Sequence, residues 1–177
     1  HLTGTPLHVE GGIVDLSAVF PKMFLPRHDH VTRRDIPGAS PDLDLLSADV
    51  NARTALYASA YQELRDLTGT LARDHAAALR TLVRFTEPQR WWARLALTPG
   101  VEVWLLSWLP GQGTEPHDHG GAAGSFTVLD GDVLEEHRYP GARIGRRTWH
   151  AGQGIGFGGD RAHQVRNVAA VPAVTVH

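Results

Sequence analysis

At 177 residues, with 42% apolar and 20% charged side chains, the chain is long enough for one domain with a real hydrophobic core. A net charge of −2 and a single lysine, Lys22, exclude a basic stripe that could track a phosphate backbone, and no uncharged apolar run is long enough for a membrane-spanning helix. The lack of cysteine removes disulfides, thiolate ligands and thiol nucleophiles, while eleven histidines point toward metal or acid–base chemistry.

Residues 1–46 read as an irregular arm, with Pro6, Pro21, Pro26, Pro37 and Pro41 scattered among short apolar clusters. No secretory signal is visible there, and the expected location is the cytoplasm. Residues 47–98 form a segment dominated by helix. Leu56, Ala60, Leu64 and Leu67, then Leu71, Ala78, Leu79, Leu82 and Val83, recur every three or four positions. Gly69 predicts a break between two helices, and Glu87-Pro88 ends the run, because the residue before proline is pushed away from helical geometry. Residues 99–177 change character. Thirteen of the nineteen glycines fall between Gly111 and Gly159, separating short branched and aromatic runs: Val101–Leu109, Ser125–Leu129, Val133–Tyr139, Arg147–Ala151, Gln164–Val168 and Ala173–His177. Short strands between turn signals predict an all-β barrel, with the helical part packed on it in one compact domain.

His117-Asp118-His119 follows the first of these strands and the turn Pro110-Gly111-Gln112-Gly113. On a strand, residues i and i+2 face one side, so both imidazoles can enter one cavity. His163 arrives from a separate strand as a third donor. Three neutral nitrogens suit iron, zinc, copper or nickel better than magnesium or calcium, and leave positions open for exogenous ligands. A second H-D-H tripeptide, His28-Asp29-His30, has neither strand alternation nor a glycine framework around it and reads as a solvated loop.

The surroundings of the first tripeptide carry a resemblance. Gly111, five residues, His117-x-His119 and then Gly131 resemble the first cupin motif; Gly152, His163, three residues and Asn167 resemble the second. The glutamate of the first motif is missing, since positions 123 and 124 are Ala123 and Gly124. Gly158 and Asp160 stand where the second motif has proline and glycine. A three-histidine cupin without that glutamate resembles the thiol dioxygenases. From about Arg90 to His177 the chain is similar to bacterial cysteine dioxygenases of type I, through Trp104-Leu105-Leu106-Ser107-Trp108, the turn and H-D-H stretch, and Pro172-Ala173-Val174-Thr175-Val176-His177.

The resemblance implies a cupin double-stranded β-helix barrel holding Fe(II) through His117, His119 and His163. It implies L-cysteine and O2 as substrates and cysteine sulfinic acid as product; charge and composition argue against a nucleic-acid or membrane partner, and the oligomeric state stays open. It implies that Arg94 grips the substrate carboxylate, as a guanidinium fork can, with Arg90 the substitute if the register slips. Thr175 and His177 match the first two members of the family's hydrogen-bonded relay. Its third member, a tyrosine, belongs two positions beyond His177, outside this sequence. Trp92, where the family often has tyrosine, and Trp108 are expected to shape the pocket. Gly124 stands where eukaryotic members carry a cysteine crosslinked to tyrosine. Two alternatives remain: a dioxygenase of another small thiol such as 3-mercaptopropionate, and a metal-binding cupin without catalysis.

Overall fold

The computed structural model describes residues 60–97 and 100–177. The arm expected over 1–46, the start of the helical segment with Leu56, and the His28-Asp29-His30 tripeptide lie outside the described residues. Helix α1 covers 60–74 and α2 covers Ala76–Leu82. The break predicted at Gly69 does not occur there: the helix runs through it and is interrupted at His75. Glycine costs a helix interior only about 1 kcal/mol relative to alanine. Tertiary burial outweighs that here, because Leu67, Leu71 and Ala72 form one apolar stripe against the sheet. Between them, the buried Thr68 hydroxyl lies 2.8 Å from Ser125 Oγ and 2.9 Å from Thr127 Oγ1.

Eight strands follow: β1 (Trp92–Leu97), β2 (Glu102–Trp108), β3 (Gly124–Asp130), β4 (Asp132–Arg138), β5 (Gly145–His150), β6 (Gly154–Phe157), β7 (Ala162–Arg166) and β8 (Ala173–Val176). They pair antiparallel into a five-stranded sheet of order β1-β2-β8-β3-β6 and a three-stranded sheet of order β5-β4-β7. Trp108, Phe126, Val128, Phe157 and Ala173 from the first sheet meet Val133, Trp149 and Val165 from the second in one core. This is the expected all-β cupin barrel with a helical N-terminal part.

β2 shows how two cores share one strand. Val103 and Leu105 join Leu67, Leu71 and Leu79 beneath the helices, whereas Leu106 and Trp108 face the barrel interior. A strand buried on both sides loses polar alternation, which is why 101–109 reads as almost continuous apolar sequence. The turn glycines of both motifs, Gly111, Gly131 and Gly152, take φ of 86°, 71° and 82°, a region other residues enter at a cost.

Two strands were not anticipated. β1 begins at Trp92, before position 99 where the barrel was expected to start, because Trp-Ala-Arg-Leu-Ala-Leu has helical propensity that pairing with β2 overrides. β6 is Gly-Ile-Gly-Phe, too glycine-rich to read as a strand. Its glycines serve close approach: at Gly156 any Cβ would overlap the Tyr61 carbonyl of α1. No helix among the described residues is long and apolar enough to cross a membrane.

Gly156→Ala should therefore lift α1 from the sheet. Overpacking of this kind costs on the order of 1–3 kcal/mol, or roughly 2–10 °C in Tm for a domain of this size. Gly69→Ala, whose added methyl meets nothing within 4 Å, should leave Tm unchanged or raise it. Thermal melts of the two variants check the pair; equal losses would show that α1 does not dock through β6.

Candidate metal centre

The loop after β2 is laid along β7 by a series of backbone and side-chain bonds. Gln112 accepts from Leu109 N at 2.8 Å through its carbonyl and donates to Thr86 O at 2.8 Å through its amide. Thr114 N donates to Val165 O at 2.9 Å, and Gln164 Nε2 to Thr114 O at 2.8 Å. At the end of this run His117 N donates to His163 O at 2.9 Å, and His163 N to His117 O at 2.8 Å. The H-D-H tripeptide thus lies on a loop with one isolated bridge to His163, not on the regular strand that its i, i+2 spacing predicts.

The bridge brings the three predicted ligands together. Ring centroids lie 4.8 Å (His117–His163), 5.1 Å (His119–His163) and 5.4 Å (His117–His119) apart. One nitrogen from each falls within 4.8 Å of the others, and among the described residues no other such group of three occurs. His119 Nε2 and His163 Nε2 are 3.2 Å apart. Two metal–nitrogen bonds of about 2.0–2.1 Å, meeting at roughly 100°, span that distance.

The outer nitrogens are occupied. His163 Nδ1 lies 2.8 Å from Glu135 Oε1, and His117 Nδ1 lies 2.8 Å from Glu115 O. Each donates its proton there and turns an Nε2 lone pair toward the common centre. Burial, and then the neighbouring His163 and His117, push His119 down to about 4, so the ring is a neutral donor at physiological pH. The chemistry and geometry of the set fit a transition metal. Phe157 closes one side, 5.2 Å from His119 and 5.1 Å from His163. Gly124 makes room for that ring, since a Cβ there would come within 2.5 Å of it.

Thr175 and His177 lie on the inner face of β8 and its continuation, while Val174 and Val176 pack beneath the helices. Trp108 Nε1 donates to Thr175 Oγ1 at 2.9 Å, and Thr175 Oγ1 lies 2.8 Å from His177 Nε2. Trp108 is fully buried and stands behind Thr175 as core. The His177 ring stacks on Phe126 at 5.4 Å. Burial, followed by the nearby His163, His119, Arg90 and His117, pushes it down to about 3.

The edge strand carries the remaining predicted residues. Trp92 is 58% exposed and meets Trp104 edge-on at 5.1 Å. Arg94, paired across the ladder with Trp104, lies over that ring at 5.5 Å; its ionic neighbour is Glu102 at 3.9 Å. Arg90 lies 5.1 Å over Trp108 and donates to Gly113 O at 3.2 Å, and its buried Nε has no partner. Burial lowers its pKa. Arg90 is among the charges acting on His177. The structure therefore gathers His117, His119, His163, Thr175, His177 and Trp108, and leaves Arg94 and Trp92 on the flank.

Sequence reasoning missed Glu135 and Arg161. Glu135 is fully buried and accepts from Trp149 Nε1 at 3.0 Å and from Arg161 Nε and Nη2 at 3.0 and 2.8 Å, besides His163. Burial alone would raise its pKa, but the bonds from His163 and Arg161 hold it down to about 2. The available signal was alternation: Val133, Glu135 and His137 share one face of a predicted strand, which places a charge on an inward position.

Residues 57–177 match the family described as cysteine dioxygenase type I. No curated protein matches the chain by sequence. Among solved structures, TT1209 from Thermus thermophilus aligns with a TM-score of 0.49 and 23% identity over 55% of this chain and 90% of its own. An uncharacterized conserved protein with a double-stranded beta-helix domain from Klebsiella pneumoniae aligns with a TM-score of 0.46 and 19% identity over 55% and 82%. An oxalate oxidase aligns with a TM-score of 0.45 and 22% identity over 51% and 50%.

One transition-metal ion per chain is the expected stoichiometry. His117→Ala, His119→Ala and His163→Ala should each reduce it to trace levels, whereas His28→Ala, in the other H-D-H tripeptide, should not. Metal analysis of the purified variants checks this; loss in His28→Ala alone would move the centre elsewhere.

Proposed function

The chain belongs to the cysteine dioxygenase type I family, and from that premise we propose that it is a non-haem iron dioxygenase converting L-cysteine and O2 to cysteine sulfinic acid. The observation that carries the reading is the set of three inward-facing imidazole nitrogens beside the Thr175–His177 pair, inside a barrel. In this reading His117, His119 and His163 hold Fe(II), which when bound supplies the redox chemistry and, with three neutral protein ligands, open positions for a thiol and O2. The thiol sulfur gains both oxygen atoms of O2, so no external reductant is required.

The chain's own residues then have distinct tasks. Phe157 packs on His119 and His163, and Phe126 on His163 and His177, covering the buried side of the site while His117 stays exposed. His177, held neutral, and Thr175 can keep or pass a proton beside the reacting sulfur. Arg94 grips the carboxylate: its 3.9 Å contact with Glu102 is long, and such half-exposed pairs are weak enough to exchange for a substrate. Trp92 and Trp104 flank that arginine. A second assignment gives the grip to Arg90, favoured by its unpartnered buried Nε and by its charge acting on His177. Free cysteine and O2 are the partners, and the cytoplasm is the proposed location.

Arg94→Gln and Arg90→Gln separate the two arginines. Losing a charge-assisted contact to the carboxylate costs on the order of 1.5–3 kcal/mol, roughly ten- to a hundredfold, seen in KM for cysteine when the contact serves ground and transition states equally. Cysteamine, which lacks the carboxylate, should respond to neither substitution. Oxygen uptake with both thiols is the measurement. If Arg90→Gln carries the cysteine-specific loss, the grip passes to Arg90; if neither does, the carboxylate is held elsewhere. Faster uptake with 3-mercaptopropionate than with cysteine would replace the substrate.

A further inference from the structure

We propose that Glu135 is the positioning residue of the metal centre, a carboxylate that acts through His163, with Arg161 balancing its charge. The inference rests on the three-histidine centre and is independent of the thiol. Glu135 receives four hydrogen bonds, from Trp149 Nε1, Arg161 Nε, Arg161 Nη2 and His163 Nδ1, at 2.8–3.0 Å. Trp149 and Arg161 can only donate, and His163 Nδ1 carries its proton when Nε2 faces the metal centre, so the four contacts together call for the carboxylate. A carboxylate behind a ligating histidine fixes its tautomer and ring orientation and increases its donor strength.

Three features make this more than a buried ion pair. Glu135 and His163 sit on the neighbouring strands β4 and β7, where the ladder pairs Glu135 with Val165 and His137 with His163. The carboxylate therefore lies one step along from His163 and reaches its outer nitrogen while Nε2 points to the centre. Arg161 is 3% exposed, engages both carboxylate oxygens, and rests 5.4 Å over Phe157, the ring that walls the histidines. The same guanidinium thus ties the carboxylate to the pocket wall. Finally, the first-motif glutamate that would ligate metal directly is absent, so Glu135 is the carboxylate that the structure couples to His163, and it acts from one residue further out.

The test uses the full chain loaded with Co(II) and titrated with a competing chelator. Glu135→Gln should hold Co(II) ten- to a hundredfold more weakly, the usual loss when such a partner is removed, and should change the ligand-field absorption spectrum of the bound ion. The neighbouring Glu136→Gln, on the opposite face of β4 with Arg146 and Arg166 as partners, should change neither. Glu135→Gln leaves Arg161 as an uncompensated buried charge, so the double variant Glu135→Gln with Arg161→Met, which removes both charges, decides the case if the single variant does not fold. The proposal expects the double variant to fold and still bind Co(II) weakly. Native-like affinity and spectrum in either variant would overturn it, because Glu135 would then only offset Arg161. Failure of the native chain to bind Co(II) would instead remove the metal centre itself, and this role with it.

Discussion

The two backbone hydrogen bonds exchanged by His117 and His163 are the constraint on which the mouth of the barrel depends. A loop of that length could take many courses. It takes one because Gly113, Thr114 and His117 are each pinned in turn to β7. The consequence is chemical: a ligand on a loop and a ligand on a strand, far apart in sequence, become backbone neighbours whose rings are 4.8 Å apart. Loops are usually the imprecise part of a site. Here the loop inherits the precision of the strand it follows.

The second level of order is electrostatic. Three neutral imidazoles contribute no charge to the ion they would hold, and the buried Glu135 is balanced by Arg161, so a divalent ion would keep its full charge toward exogenous ligands. That is a setting that favours anionic partners such as a thiolate. Burying an ion pair adds little stability, because desolvation offsets most of the attraction. A pair this buried, spanning β4 and the start of β7, is better explained by what it orients than by what it stabilises. It also joins the pocket wall: the guanidinium, the Phe157 ring and the histidines form one packed stack, for which Gly124 leaves space.

What was legible in the sequence follows the physics of local signals. His117, His119 and His163 could be read because glycines at 111, 131 and 152 punctuate the strands around them, and all three take the positive φ that glycine tolerates. Asn167 was read with them, and its role is structural: its amide donates to Trp108 O at 3.0 Å and Val171 O at 2.8 Å, closing the turn into β8. β1 and β6 were not legible, because pairing and close helix approach, rather than their own residues, make them strands. The Gly69 break failed for the same reason in reverse, with burial of Leu67 and Leu71 overriding a local preference. Glu135 was hidden by its sequence neighbour Glu136: two adjacent carboxylates look like a solvated run, yet alternation on β4 sends one into the core and the other to the surface arginines.

The inner hydrogen-bond chain is anchored by a group that can only donate. An indole N–H only donates, so Trp108 Nε1 takes a lone pair of Thr175 Oγ1 and leaves the hydroxyl hydrogen free to point onward. The atom 2.8 Å away on the other side is His177 Nε2, which accepts from that hydroxyl in one ring tautomer and donates to its second lone pair in the other. A tryptophan in the core thus anchors Thr175 and, through it, the contact to His177. This makes sense of a residue that sequence reasoning could place only as pocket wall or plain core: Trp108 is core by burial, and its single polar atom orients Thr175 and, through it, His177.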